Sequence, residues 1–287
     1  MDTTHINLSD YRKHNLGPLL EIPQPPQELW SKGNLPPDDI TLLAIVGSRQ
    51  YTTYGKQALD YLMDGLRGYP IGIISGLALG IDALAHEAAL RNNLYTLAIP
   101  GSGLAAVAPA TNRGLAERIL EQGGGLLSEL SPETGAAKWT FPSRNRILAG
   151  LCKGTLLVEA GEKSGTLITA RMTVDYNREL LAIPGSIFSH NSYGTHQFLK
   201  LGATMVTEPT DILYALGIEP VKPTAKITEI TLTPNEKLVI TILSEPRDKD
   251  TLLRQLTLPV SEANILLMNM EMQGYIAYDS PHYRSLI

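Results

Sequence analysis

Between Leu42 and Ile183, short apolar runs alternate with stretches of helical periodicity, and this alternation restricts the fold more than any other feature. Residues 42–46, 71–74, 94–99, 125–130, 155–158 and 180–183 are apolar without strict polar alternation, as strands buried on both faces are. Residues 55–66, 81–91, 112–122, 143–151 and 166–177 lie between and after them and read as helices. Strand–helix alternation of this kind predicts an α/β domain over residues 41–217, a doubly wound, mostly parallel sheet covered on both faces.

The flanks differ. Pro18, Pro23, Pro25, Pro26, Pro36 and Pro37 crowd the segment from Leu16 to Pro37. Proline at that density predicts neither long helices nor central strands, so residues 1–40 read as an extended arm. After Gly217, residues 218–232 read as a linker carrying Pro220 and Pro223. Thr233-Pro234-Asn235-Glu236 has the form of a capping box with proline at the first helical position. Helical stretches at 236–243, 249–256 and 261–273 follow, then Gly274 and a β-ribbon beginning at 275–278. Three helices and a ribbon predict a small winged-helix domain over residues 233–287.

Several classes are disfavoured. The lone Cys152 leaves no internal disulfide framework and fits a reducing compartment, as a buried hydrophobe or as a reactive thiol. Residues 1–13 are polar and lack the apolar core of a signal peptide. The most apolar stretch, residues 71–90, is interrupted by Gly72, Gly76, Gly80, Asp82, His86 and Glu87, and no run reaches the ~20 residues of a membrane span. A cytoplasmic protein with no membrane partner is expected. The net charge of -5 argues against a basic coat on nucleic acid but leaves room for a local basic groove.

Three turns have the form of phosphate cradles. Gly47-Ser48-Arg49 follows a strand and precedes a helix, so its free amides attract anions, with a hydroxyl and a guanidinium to help; a plain helix cap is the alternative. Ser75-Gly76, running on to Gly80-Ile81-Asp82, reads as a second cradle or as close helix–strand packing. Asp82 and His86, one turn apart, lack a third metal ligand nearby. Ser164-Gly165-Thr166 opens a helix after a strand and reads as a third anion site, against a plain serine cap. Gly101-Ser102-Gly103-Leu104-Ala105-Ala106 matches a relaxed dinucleotide fingerprint, but Pro109 falls where the helix should run and no acidic residue follows at the right distance. Ala98-Ile-Pro-Gly-Ser102 recurs as Ala182-Ile-Pro-Gly-Ser186, which reads as two similar strand ends needing sharp turns.

The densest cluster is Lys138-Trp-Thr-Phe141-Pro-Ser-Arg144-Asn145-Arg146. From Lys138 to Arg171 there are six basic residues (Lys138, Arg144, Arg146, Lys153, Lys163, Arg171) against Glu159 and Glu162, a local charge of +4. Cations interleaved with aromatic rings suit single-stranded nucleic acid, whose backbone is tracked by charge and whose bases stack. The alternative is a solvated charged helix face. Trp139 is expected in the core, and Phe141, in a proline-bounded turn, is expected to be exposed.

These motifs together resemble the DprA (Smf) family of DNA-processing proteins of natural transformation. The resemblance runs from about Leu16 to the C-terminus. It is carried by Gly47-Ser48-Arg49, Ser75-Gly76-Leu77-Ala78, Gly80-Ile81-Asp82, Ser128-Glu129, Phe141-Pro-x-Arg-Asn-Arg-Ile147 with Ala149-Gly150, Ser164-Gly-Thr-Leu-Ile-Thr-Ala-Arg171, Pro184-Gly185 and Gly202-Ala203. It implies a Rossmann-like domain that binds incoming single-stranded DNA without catalysis or cofactor, delivers it to the RecA recombinase and forms a homodimer. It implies DNA contacts by Arg49, Lys138 and Phe141, with Arg144, Asn145, Arg146, Ser164, Gly165 and Thr166 in the same pocket. Relatives often have a helical domain where the proline-rich arm stands here, a basic residue at the position of Leu79, and Tyr-Pro at Ala108-Pro109.

The last helical stretch has Glu262 and Glu271 and no Lys or Arg, so the winged-helix domain is expected to bind protein or its own dimer partner rather than duplex. An enzymatic alternative is a nucleoside-monophosphate phosphoribohydrolase, whose turn Pro-Gly-Gly-x-Gly-Thr-x-x-Glu supplies a carboxylate. Here Thr169 stands where that carboxylate would be. A NAD-dependent enzyme built on Gly101–Ala106 is a weaker alternative. There is neither a Walker lysine motif nor a metal-ligand constellation.

Overall fold

Each apolar run of the sequence becomes a strand that neighbours cover from both sides, and the chain's order of laying them down creates the site. The computed structural model describes residues 3–137, 139–220, 232–256, 258–279 and 281–285. The chain divides into two units, Met1–Pro220 and Val221–Ile287.

The larger unit begins with β1 (Thr4–Asn7), β2 (Glu28–Gly33) and β3 (Thr41–Val46), then α1 (Thr53–Gly65), β4 (Ile71–Ser75) and α2 (Ile81–Arg91). It continues through β5 (Tyr95–Ala98), α3 (Arg113–Glu121), β6 (Gly125–Ser128), α4 (Thr140–Leu151), β7 (Gly154–Leu157) and α5 (Thr166–Asp175). It ends with β8 (Glu179–Ala182), α6 (Tyr193–Lys200), β9 (Thr204–Met205) and α7 (Pro209–Ala215). The strands form one sheet in the order β1-β2-β6-β5-β4-β3-β7-β8-β9. From β6 to β9 every neighbouring pair is parallel, whereas β2 runs antiparallel to both β6 and β1. The chain steps outward from β3 through β4 and β5 to β6, then crosses back by α4 to start β7 on the other side of β3. The strand order therefore reverses between β3 and β7, which is where open α/β sheets bind ligands.

The period-2 geometry of β3 divides the core. Leu42, Ala44 and Val46 face one layer, with Ile147, Leu148 and Leu151 of α4 and Leu167 and Ala170 of α5. Leu43 and Ile45 face the other, with Leu59, Leu62 and Met63 of α1 and Ala85, Ala88 and Ala89 of α2. The proline-rich segment joins the first layer: Tyr11, Leu16, Leu19 and Leu29 are fully buried there. The expectation that this segment holds no central strand is corrected by β2, which sits between β1 and β6. Its six residues, Glu28–Gly33, fall in a proline-free window between Pro26 and Pro36, so every ladder donor it needs is present. Tyr11 ties the segment down by donating its hydroxyl to Pro26 O at 2.8 Å.

The smaller unit contains α8 (Pro234–Ile242), β10 (Arg247–Asp248), α9 (Lys249–Gln255), α10 (Val260–Met272), β11 (Ile276–Asp279) and β12 (His282–Ser285). Its strands pair in the order β10-β12-β11 beside a core of Val239, Leu252, Leu267 and Met270, a winged-helix arrangement. Thr233 caps α8 through the predicted box with Glu236. Among the described residues, no helix is long and apolar enough to cross a membrane.

Since Leu29 is fully buried in the main core, Leu29→Ala is expected to destabilise the whole larger unit by about 2–5 kcal/mol. Chemical denaturation monitored at the sheet checks this, and a variant with an unchanged midpoint would show that the segment is only laid on the surface.

Candidate functional site

The turn after β3, the turn after β7 and the first turns of α4 and α5 meet at the strand-order reversal around a cavity of about 630 Å³. Gly47, Ser48, Arg49, Asp82, Phe141, Arg144, Asn145, Lys163, Ser164, Gly165 and Thr166 all line it. Its charged lining is three cations, Arg49, Arg144 and Lys163, against the single carboxylate of Asp82. A cleft with that balance and low-dielectric walls concentrates a positive potential.

Local structure explains how the turns are held. Gly80 adopts φ +84°, and an added Cβ would lie 2.3 Å from Ser48 O, so only glycine lets the turn after β4 approach the turn after β3 this closely. Ile81 N–H then donates to Ser48 O at 3.1 Å. Ser48 closes its own turn, donating to Gln50 O at 2.9 Å and accepting from Gln50 N–H at 3.1 Å. Across the cleft, Ser164 donates to Thr166 Oγ1 at 2.9 Å, and Thr166 donates to Gly47 O at 3.0 Å. A hydroxyl relay thus fastens the start of α5 to the turn after β3. Behind the cleft, the buried Glu159 carboxylate accepts from Thr52 N–H at 2.9 Å at the start of α1, where acidic charge is favoured.

Arg144 is the core of the site. Its side chain is only 8% exposed, and its NH1 lies 3.9 Å from Asp82 Oδ2, too far for a hydrogen bond. Among the described residues its Nε and NH1 are buried without an acceptor. The guanidinium occupies the space a side chain at residue 76 would fill, since a Cβ on Gly76 would lie 1.4 Å from NH1. Burial pushes the Asp82 carboxyl up, against the opposing pull of Arg144 and of the Gly76 and Ala78 amides. Burial also pulls Arg144 down, yet a guanidinium keeps its charge. The result is a fixed, poorly neutralised cation beneath an open cleft. Above it, the guanidinium of Arg49 lies over the Phe141 ring, 5.6 Å from its centroid. The ring also packs against Gly101, where a Cβ would lie 2.7 Å from it.

Other residues singled out in the sequence lie elsewhere. Ser75 is fully buried and donates to Ile45 O at 2.6 Å, and Gly76 spends its amide on Asp82 Oδ2 at 3.2 Å. Both support the floor, and neither offers an anion a donor. Arg146 is turned away from the cavity: it pairs with Glu129 and donates to Gln24 O at 2.7 Å, fixing the N-terminal segment to α4. Helical positions two apart point about 200° away from each other, so Arg144 and Arg146 part company. Lys138 falls outside the described residues. Trp139, expected in the core, is 62% exposed, because the buried place beside it is taken by Thr140, which donates to Gly101 O at 2.6 Å. Phe141, expected exposed in a turn, is half-buried in the first turn of α4, where Pro142 is tolerated. The Gly101–Ala106 turn commits its amides to protein: Gly103 donates to Thr134 O at 2.8 Å and Ala105 to Pro132 O at 2.9 Å. That is packing, and it leaves no dinucleotide cradle. His86 is neutral in the core, its Nδ1 2.7 Å from Thr96 Oγ1 and its pKa pushed down to about 3 by burial. No group of three metal-ligating side chains occurs among the described residues. Gln50, His190 and Asn191 complete the cleft without having been anticipated. Polar loop residues far apart in sequence give no local signal.

An open doubly wound sheet with a cationic cleft at its reversal point defines a Rossmann-like ligand-binding protein, here joined to a winged helix. The chain belongs to the family described as DNA recombination-mediator protein A, whose model matches residues 4–217, and the DprA winged helix domain model matches residues 222–278. It is 36% identical over 267 residues to Protein Smf of Escherichia coli, covering 90% of this chain and 71% of that protein. It is 40% identical over 195 residues to the DNA processing protein DprA of Streptococcus pneumoniae, covering 68% of each. The crystal structure of DprA from Streptococcus pneumoniae aligns with TM-score 0.69 at 37% identity, over 75% of this chain and 74% of that one. A structure of DprA from Helicobacter pylori, which describes that protein's binding of single-stranded DNA, aligns with TM-score 0.66 at 27% identity over 75% of this chain and 96% of that one.

A methyl group at residue 76 collides with Arg144, so Gly76→Ala is expected to lower stability by about 1–3 kcal/mol. In an Arg144→Ala background the same change should cost far less, a non-additivity that a thermal double-mutant cycle measures directly. Additive effects would show that the guanidinium does not occupy the space beside Gly76.

Proposed function

We propose that this chain binds single-stranded DNA at the switch-point cleft and, without catalysing a reaction, helps load it with RecA recombinase. The observation that carries the reading is the stacked pair of Arg49 and Phe141 above the buried Arg144. A phosphate is attracted by the two guanidiniums and by Lys163, while a base layers on the planar Arg49 guanidinium that covers the Phe141 ring. Duplex DNA hides its base faces, so this combination favours single strands. Lys138, next to Trp139, adds a further cation in sequence. The family's description as a recombination mediator supports a role beside a recombinase, and the relative from Helicobacter pylori, described as binding single-stranded DNA, supports the ligand; a homodimer is part of the same proposal.

The smaller unit serves a different partner on this reading. α10 has no basic side chain to place against phosphates, and it exposes Ile265, Met268 and Met272. Such a face suits protein, either a partner or a second copy.

A fluorescent oligo-dT is expected to bind the full chain well above the matching duplex. Arg49→Ala and Phe141→Ala should each weaken the single strand by roughly tenfold or more, since a stacked base is worth about 1–3 kcal/mol. Several phosphate contacts make the affinity fall steeply with added salt. Equal affinity for both DNA forms, or a flat salt profile in fluorescence anisotropy, would refute the cleft as the DNA site.

A further inference from the structure

The second of the two Ala-Ile-Pro-Gly-Ser echoes leads into an exposed apolar turn that the cleft does not absorb. Ile187 is 80% exposed and Phe188 92% exposed, on the connection between β8 and α6. This connection is pinned in place. Phe188 N–H donates to Ser186 Oγ at 3.2 Å, Ser189 N–H to Ser186 O at 3.0 Å, and the His196 ring bonds to Gly185 O at 3.0 Å. The residues after it are tied to the cleft's own walls. Asn191 O accepts from Ala160 N–H at 2.7 Å, Ala160 O accepts from Gly194 N–H at 2.7 Å, and Asn191 Nδ2 donates to Gln50 O at 2.7 Å. Two adjacent large apolar side chains held in water by a fixed backbone form a patch of the kind that marks an interaction site.

What surrounds the ring indicates what would cover it. A second hollow, of about 510 Å³, lies between Phe188 and α6. Tyr193 lines it with a second aromatic face, 44% exposed. Lys200 supplies a cation and His190 and His196 polar ring edges, and no Asp or Glu is among the lining residues. His190 lines both this hollow and the main cleft, so the two are neighbours with His190 as their shared wall. Aromatic faces interleaved with basic groups, without acids, and adjacent to a cationic cleft have the chemistry of a track for single-stranded nucleic acid.

We infer that the turn carrying Phe188, with Tyr193 and Lys200 of α6, forms a second stacking subsite that holds the nucleotides next to those in the switch-point cleft. The inference rests on the single-strand reading of that cleft. Bases stack on Phe188 and Tyr193, and Lys200 meets the intervening phosphate. His190 sits where the strand passes from one hollow to the other.

The test compares a short oligo-dT of about 5 nucleotides with a longer one of about 15, a span comparable to the site sizes of other single-strand binders. The full chain, Phe188→Ala, Tyr193→Ala, Phe188→Trp and Arg49→Ala are each titrated with both. Phe188→Ala and Tyr193→Ala are expected to weaken the longer strand roughly tenfold and leave the short one unchanged, with Phe188→Trp retaining the affinity. Arg49→Ala should weaken both lengths. If Phe188→Ala and Tyr193→Ala leave the longer strand bound as tightly as before, the subsite does not exist. Loss of self-association in sedimentation, with DNA affinity intact, would assign the turn to a second copy instead. If the unaltered chain binds neither oligonucleotide, the cleft reading fails and the subsite falls with it.

Discussion

A guanidinium withdrawn from water has to be matched by negative charge, and at Arg144 the protein provides one carboxylate, 3.9 Å away. Desolvating a charged group costs several kcal/mol after relaxation, and a single distant counter-ion offsets it only in part. Neighbouring features follow from that arrangement. Residue 76 is glycine because the guanidinium fills its side-chain space. Asp82 is fixed by the Gly76 amide, at 3.2 Å, and so stays facing the cation. Phe141, one turn earlier on α4, props Arg49 over the opening. The site is thus a charge stored in the fold, and on the proposed reading the remainder of its neutralisation comes from the DNA phosphate that enters the cleft.

The sheet determines where such a charge can be stored. Reversal of strand order between β3 and β7 leaves a crevice that no crossover helix covers, and the turns leaving these strands project their amides and side chains into it. Gly80 lets two of the turns interlock, and the Ser164–Thr166–Gly47 relay joins the third. Because both walls are hydrogen-bonded to one another, the cleft is preorganised, and less of the binding energy is lost to ordering loops. The same ties extend through Asn191 to the turn bearing Phe188.

The strands from β3 to β8 were legible because burial on both faces leaves an unbroken apolar run that no other element imitates at that length. β2 was not: the prolines on either side dominate the local pattern, and only tertiary pairing with β6 shows that the window between them completes a ladder. Among site residues, Arg49, Arg144, Ser164 and Thr166 were visible as basic or hydroxyl groups at strand–helix turns, and the structure brings them together. Arg146 looked identical to Arg144 in the sequence. Its partners, Glu129 and Gln24, are remote in the chain, so nothing local marked it as structural. Trp139, expected in the core, stands exposed, and Thr140 is the residue buried there.

The claim that Arg144 is kept for a ligand rather than for the fold is tested most directly by removing the buried pair as a unit. Arg144→Met combined with Asp82→Asn deletes both charges while keeping similar volume and an amide oxygen to accept from Gly76 N–H, so neither an unpaired buried charge nor an orphaned donor is left behind. Thermal unfolding and oligo-dT binding would be measured on the same preparation. A melting temperature equal to or above that of the unaltered chain, together with single-strand affinity lowered at least tenfold, is the predicted result. A melting temperature that falls while affinity is retained would contradict the account and make the Arg144–Asp82 pair a structural element.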